Sequence, residues 1–151
     1  MFKMIEKTLV LCIEHFDDNG HLNNIVPLEF FERNRRILQK SYGISDRFLR
    51  EQQLRLYVVC WEKIKYIHSV GMEVRAVDVC SAFEYSGGPR KNIHHEIYYP
   101  DADGLKIVAV TGTSVHAFVR IKDDQQIPFN PTHNNITREF ILRLEKEKSA
   151  E

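Results

Sequence analysis

One long helical pattern, followed by almost nothing but strand, sets the terms on which this chain folds. A helix over residues 24 to 41 is predicted by Leu28, Phe31, Leu38 and the adjoining Tyr42 at helical spacing, and Phe30 and Ile37 widen the apolar face. That spacing predicts a helix buried over much of its circumference. Asn24 is placed to cap its start, Pro27 is compatible with a first turn, and Gly43 fits the stop beyond its end. Before the helix, Ile5, Leu9, Leu11 and Ile13 alternate, which predicts a strand over residues 5 to 14. After it, strand patterns cover 54 to 68, 72 to 85, 92 to 99 and 105 to 121. One helix cannot cover both faces of a sheet with that many long strands. The expected solution is an α+β fold in which a curved antiparallel sheet wraps the helix and buries its other face in an oligomer.

Local signals join these pieces. Ser45 is a cap for a short helix over 46 to 52. Ser69-Val70-Gly71 is a short connection between two strands, and Pro100-Asp101-Ala102-Asp103-Gly104 has hairpin composition. The strand over 105 to 121 is the most legible. Leu105, Ile107, Ala109, Val115, Ala117, Val119 and Ile121 share one face, with Thr111 and Thr113 between. The other face mixes Lys106, Gly112, Ser114, His116 and Arg120 with Val108, Val110 and Phe118. We read that mixed face as a subunit contact, predicting a homodimer or homotetramer. Residues 134 to 147 predict a closing helix with a charged end.

Composition narrows the function. At 151 residues the chain fits one domain, residues 1 to 151. Its 21 Lys and Arg are balanced by 21 Asp and Glu, which removes the electrostatic footprint of a nucleic-acid or anionic-membrane binder. No apolar run approaches the roughly 20 residues of a membrane span. The charged N-terminus lacks a signal-peptide core, and Cys12, Cys60 and Cys80 are odd in number with no C-x-x-C pair. A cytoplasmic location is the expectation. Locally the balance breaks. Residues 1 to 32 hold Lys3 and Lys7 against six acids. Residues 33 to 65 hold Arg33, Arg35, Arg36, Lys40, Arg47, Arg50, Arg55, Lys63 and Lys65 against Asp46, Glu51 and Glu62. This basic stretch is either a solvated face or a surface for a phosphate-bearing ligand.

The segment that carries chemistry is Asp17-Asp18-Asn19-Gly20-His21-Leu22-Asn23-Asn24, at the strand-to-helix junction. Gly20 lets backbone approach a ligand, and the helix start beyond it offers unpaired N–H groups and a positive dipole end. A carboxylate there could act as nucleophile or general base beside an oxyanion site. The plainer reading is a turn in which Asp17 bonds loop amides. A calcium loop does not fit: with Gly20 at the invariant glycine, the first and last ligand positions would be His15 and Val26.

Asp17-x-x-Gly20-His21-x-Asn23-Asn24, followed by Leu28-Glu29-Phe30-Phe31-Glu32 and Arg35, resembles the hotdog-fold acyl-CoA thioesterases of the hydroxybenzoyl-CoA thioesterase type. The resemblance extends through Lys65-Tyr66-Ile67, Val70-Gly71-x-Glu73-Val74 and Ile127-Pro128. It implies a long central helix wrapped by the sheet. It also implies an acyl thioester hydrolase acting on acyl-CoA or an acyl carrier protein, with no cofactor beyond coenzyme A as part of the substrate. By the same resemblance Asp17 is the catalytic carboxylate, the thioester carbonyl meets the Asn24 backbone N–H, and His21 orients the loop or contacts substrate.

Elsewhere the turn Ser86-Gly87-Gly88-Pro89-Arg90-Lys91-Asn92 is the next candidate. The amide of Gly88 and the side chains of Arg90 and Lys91 could meet the phosphates of coenzyme A or a pantetheine arm; otherwise this is a solvated hairpin turn. His94 and His95, adjacent on a strand, point to opposite faces and cannot share a metal ion. Trp61, Tyr57 and Tyr66 read as core or subunit-contact residues, and His68 and His116 have no assigned role. Pro27, where the family commonly has an aromatic, and the Gly-Gly-Pro turn leave one alternative, a hotdog-fold binder of acyl thioesters or acyl carrier protein that does not hydrolyse them. A dehydratase would need a His facing a carboxylate across a cleft, which the sequence does not pair.

Overall fold

The computed structural model describes residues 4–84, 90–123 and 125–127, together with Leu142 and Lys146. Strand β1 (Met4–Val10) leads through a 3-10 turn (Ile13–His15) to helix α1 (Val26–Ser41) and the short α2 (Asp46–Glu51). Strands β2 (Leu54–Tyr66), β3 (Ala76–Glu84), β4 (Arg90–Pro100), β5 (Lys106–Lys122) and β6 (Gln125–Ile127) follow. All pairings are antiparallel, in the order β1-β3-β4-β5-β2, with β6 added beside β5. The predicted α+β architecture is the one observed: one long helix packs against β3, β1 and β4 of a single sheet. The predicted closing helix over 134 to 147 lies outside the described residues, apart from Leu142 and Lys146, which are helical.

The signals at the helix ends explain its limits. The Gly43 N–H donates to the Lys40 carbonyl (2.9 Å) and the Ile44 N–H to the Gln39 carbonyl (3.0 Å). With Gly43 at φ +79°, this is the paired-bond stop that favours glycine just past a helix end. Ser45 caps α2, its hydroxyl accepting from the Phe48 N–H at 3.1 Å. At the N-terminus the structure corrects the expectation. Asn24 is not the cap; Ile25 occupies that position, and the Asn23 side chain accepts the Ile25 N–H at 3.1 Å. The first strand is also shorter than its alternation suggested. Beyond Val10 the Cys12 N–H turns to the His15 ring (3.0 Å), so Leu11 enters the core while Ile13 stays exposed.

The faces of α1 and β5 differ from expectation for one shared reason. The buried stripe of α1 is Pro27, Phe30, Phe31, Asn34, Arg35, Leu38 and Gln39, a clean helical period that includes polar residues, and Ile37 lies outside it. Opposite it, β5 turns Val110, Gly112, Ser114, His116 and Phe118 of the mixed face inward; on the other face Ala109, Thr113 and Val115 are buried too, while Leu105 is exposed and Val119 half-exposed. Helix and sheet therefore match polar to polar in the core, and the mixed face is not a subunit contact. Asn34 donates to Ile5 and Val79 carbonyls (3.1 and 3.2 Å) and to the Ser81 hydroxyl (2.9 Å). Ser81, His95, Ser114 and His116 continue as one chain of hydrogen bonds, at 2.7, 2.8 and 2.7 Å. Gly112 makes room for Phe31, whose ring stacks on His95 at 4.8 Å.

Two apolar clusters flank this polar line, one around Phe30, Phe31, Val79 and Ile97, the other around Leu38, Leu54, Phe83 and Ile93. Strands β2 and β3, consecutive in sequence, do not pair. β2 crosses to the far side of β5, and the connection at residues 69–71 is thereby carried past the start of α1.

Candidate functional site

The Asp17 segment closes on itself as a small hairpin. Phe16 pairs with Leu22, the Asp17 N–H donates to the His21 carbonyl (2.8 Å), and the Gly20 N–H donates to the Asp17 carbonyl (3.0 Å). The Asp17 carboxylate accepts, through Oδ1 alone, the N–H groups of Asn19 (2.9 Å) and His21 (3.0 Å). Gly20 sits at φ +74°, where a side chain would strain the turn. The plainer reading of the sequence is thus correct as far as it goes: Asp17 builds the turn. Asp101 builds the same one. Its Oδ1 accepts from Asp103 (2.9 Å) and Leu105 (2.8 Å), its own N–H donates to the Leu105 carbonyl (2.8 Å), and Gly104 lies at φ +80°.

What separates the two turns is their surroundings. The Leu22 N–H donates to the Val70 carbonyl (2.8 Å) and His21 bridges Gly71, so the Asp17 turn is tied to the segment leaving β2. That segment and the start of α1 enclose a cavity of about 220 Å³ lined by Asp17, His21, Asn24, Tyr66, His68 and Ser69, among others. At its helix side the Val26 N–H is taken by the Asn23 carbonyl (3.0 Å) and the Ile25 N–H by the Asn23 side chain. Pro27 has none to give. Among the described residues no protein group accepts the Asn24 N–H or bonds Asp17 Oδ2. The cavity therefore brings together Asp17 and Asn24, the one with a carboxylate oxygen and the other with a backbone donor that lack partners among the described residues.

Of the residues singled out in the sequence, Asp17, His21 and Asn24 line this cavity, and Gly20 serves it only through the Asp17 turn. The second group does not join them. Gly88 lies outside the described residues. Arg90 begins β4, but its side chain is likewise outside them. Lys91 turns inward and is 3% exposed, so its ammonium is not offered at the surface. It pairs with His116, six residues along β5 from Val110 at the cavity wall, or about 20 Å at strand rise.

Tyr66 and His68 are the residues that sequence reasoning missed. The Tyr66 hydroxyl donates to the Asn24 carbonyl at 2.8 Å across 42 positions. His68 lines the same cavity as Asp17. No local signal could have found either, because the crossover of β2 alone creates the contact. His94 and His95 do point to opposite faces: His95 is buried under Phe31 and His94 is exposed beside Glu96. Burial, then repulsion from His116, pushes His95 down to about 3, and burial with the nearby Arg35 guanidinium pushes His116 down to about 3 as well. Both imidazoles are neutral structural groups, outside the cavity.

No family model matches the sequence, and no curated protein matches it. Solved structures do. 4-Hydroxybenzoyl-CoA thioesterase from Pseudomonas sp. strain CBS-3 superposes with a TM-score of 0.74 at 8% identity, over 91% of this chain and 98% of its own. An aspartate-to-asparagine mutant of 4-hydroxybenzoyl-CoA thioesterase, complexed with 4-hydroxybenzoyl-CoA, gives 0.77 at 7% identity over 91% and 97%. A Staphylococcus aureus protein in complex with CoA gives 0.74 at 14% identity over 97% and 86%. At these identities the likeness is one of fold, and it spans nearly the whole chain: this protein has the hotdog fold, in the form found in 4-hydroxybenzoyl-CoA thioesterase.

Proposed function

We propose that this chain hydrolyses acyl thioesters of coenzyme A, with Asp17 as the catalytic carboxylate and the Asn24 backbone N–H as oxyanion donor. The observation that carries this reading is the cavity lined by both Asp17 and Asn24, whose Oδ2 and backbone N–H have no partner among the described residues. Two routes use the same groups. Asp17 adds to the thioester carbonyl, the C–S bond breaks, and water then cleaves the mixed anhydride; or Asp17 takes a proton from water as the water adds. Either way the products are a carboxylic acid and a thiol. The negative charge that develops on the carbonyl oxygen is stabilised by a donor at a helix start. A thiolate is a good leaving group, so no strong second acid is needed. Coenzyme A enters as part of the substrate, an acyl carrier protein is the other carrier of the same thioester, and no cofactor takes part.

The test is a panel of acyl-CoAs read with a thiol-trapping dye. Turnover is expected for at least one acyl group, with Asp17→Asn lowering kcat about 10² to 10⁴-fold. No release of thiol from any substrate, or equal turnover by Asp17→Asn, overturns the assignment.

A second reading is favoured by one observation. Because Asp17 repeats the bonds of Asp101, its carboxylate serves the turn without any chemistry. A binder that holds acyl thioesters without hydrolysing them would show thermal stabilisation by acyl-CoA and no free thiol.

A further inference from the structure

The basic stretch of the sequence converges, in three dimensions, on a second cavity remote from Asp17. It measures about 400 Å³ and lies between the C-terminal half of α1, α2 and the start of β2. Its apolar floor is the half-buried Leu56 and Tyr57, with Leu49 and Leu54 buried beneath them. Guanidinium groups stand around it, from Arg35, Arg36, Arg50 and Arg55.

The charge is not cancelled within the site. Arg35 is spent on Glu32, which it holds below the usual carboxylate range, and Arg36 is 3.6 Å from the same carboxylate. Arg50 bonds only a carbonyl, that of Asp46 (3.4 Å), and Arg55 only the Tyr57 hydroxyl (3.1 Å). Neither has a carboxylate partner among the described residues. Asp46 and Glu32 stand against these four guanidiniums, and Asp123 lines the adjoining cavity with Arg50 and Arg55, so one net positive charge remains. A carboxylate offers two acceptor oxygens to the guanidiniums of Arg36, Arg50 and Arg55, whereas a phosphate monoester offers three.

We propose that this cavity binds a phosphate-bearing ligand, its phosphate between Arg36, Arg50 and Arg55 and its organic body on Leu56 and Tyr57. The site is separate from the catalytic assignment and does not depend on it. A coenzyme's nucleotide, a free nucleotide and inorganic phosphate share this chemistry, and calorimetry separates them.

Coenzyme A, ADP and inorganic phosphate are titrated into the full chain, into Arg50→Gln/Arg55→Gln and into Arg47→Gln, whose residue pairs with Glu51 outside the cavity. At least one ligand is expected to bind the parent chain and Arg47→Gln alike, and to bind the double variant about tenfold or more weakly, the loss expected of one or two charged hydrogen bonds. ADP binding more tightly than inorganic phosphate supports a role for the apolar floor. Every ligand that binds the parent chain retaining its affinity in the double variant places the binding elsewhere and overturns the proposal. So does the absence of saturable binding by all three. Unchanged far-ultraviolet circular dichroism and melting temperature of the double variant show that lost binding is not lost folding.

Discussion

At Asp17 and Asp101 the chain builds one turn twice, and the pair separates what a carboxylate does for the backbone from what it does for a substrate. In both turns Oδ1 accepts two backbone N–H groups. An asparagine side-chain oxygen accepts the same bonds, so Asp17→Asn is expected to stay within about 1 kcal/mol of the parent stability. Asp17→Ala and Asp101→Ala each remove two acceptor bonds at an exposed site and are expected to cost about 1 to 2 kcal/mol. Only the Asp17 variants are expected to lose thioesterase turnover. Chemical denaturation beside the thiol-release assay checks both expectations, and a loss of turnover in Asp101→Ala equal to that of Asp17→Asn would attribute the effect to folding rather than chemistry. The turn was legible from Asp-x-x-Gly alone, while its use was not, since the same letters stand at Asp101, whose cavity lies against β1 and β3 and not at a helix start.

At the scale of the element, α1 shows why hydrophobic periodicity found the helix and misjudged its face. The stripe at Pro27, Phe30, Phe31, Asn34, Leu38 and Gln39 is regular, but a count of apolar residues passes over Asn34 and Gln39 and admits Ile37. Asn34 belongs inside because it meets Ser81 and the carbonyls of β1 and β3 there. Replacing it with alanine leaves those acceptors short of a donor in the core, at an expected cost of about 3 kcal/mol in urea unfolding. A cost below about 1 kcal/mol would mean the polar line adds little to helix docking. The inward mixed face of β5 is the other half of the same fact. Ser114 and His116 look like surface residues on a strand until His95 and Ser81 are placed beside them by the pairing of β3, β4 and β5.

For the whole molecule, the two buried imidazoles link stability to pH. Both have folded values near 3 against 6.5 when unfolded, so below about pH 6.5 the unfolded chain binds protons that the native core refuses. Stability is complete above that pH and falls as the solution is acidified toward pH 3, by up to about 2.7 kcal/mol per pH unit for two protons. Glu32, held below its usual range by Arg35, adds a loss of the same sign only below about pH 4.5. Melting temperatures between pH 7 and 5 therefore report the histidines, and a flat profile there would contradict their burial as neutral groups. Assembly remains a proposal on new ground: the mixed face of β5 is internal, but Ile25, Tyr66, Ile67 and Met72 are exposed around the candidate site. A homodimer or homotetramer that covers them is expected in sedimentation at micromolar concentration, and a stable monomer would contradict it. The sequence by itself determined the elements, because helical period, strand alternation, the Gly43 stop, the Ser45 cap and the Asp-x-x-Gly turns act over a few residues. Only the tertiary structure decided which face of α1 and β5 is inside and which residues share the cavity with Asp17. Both depend on strand order, with β2 carried past β5 and Tyr66 brought to Asn24, and contacts between residues so far apart leave no trace in local pattern.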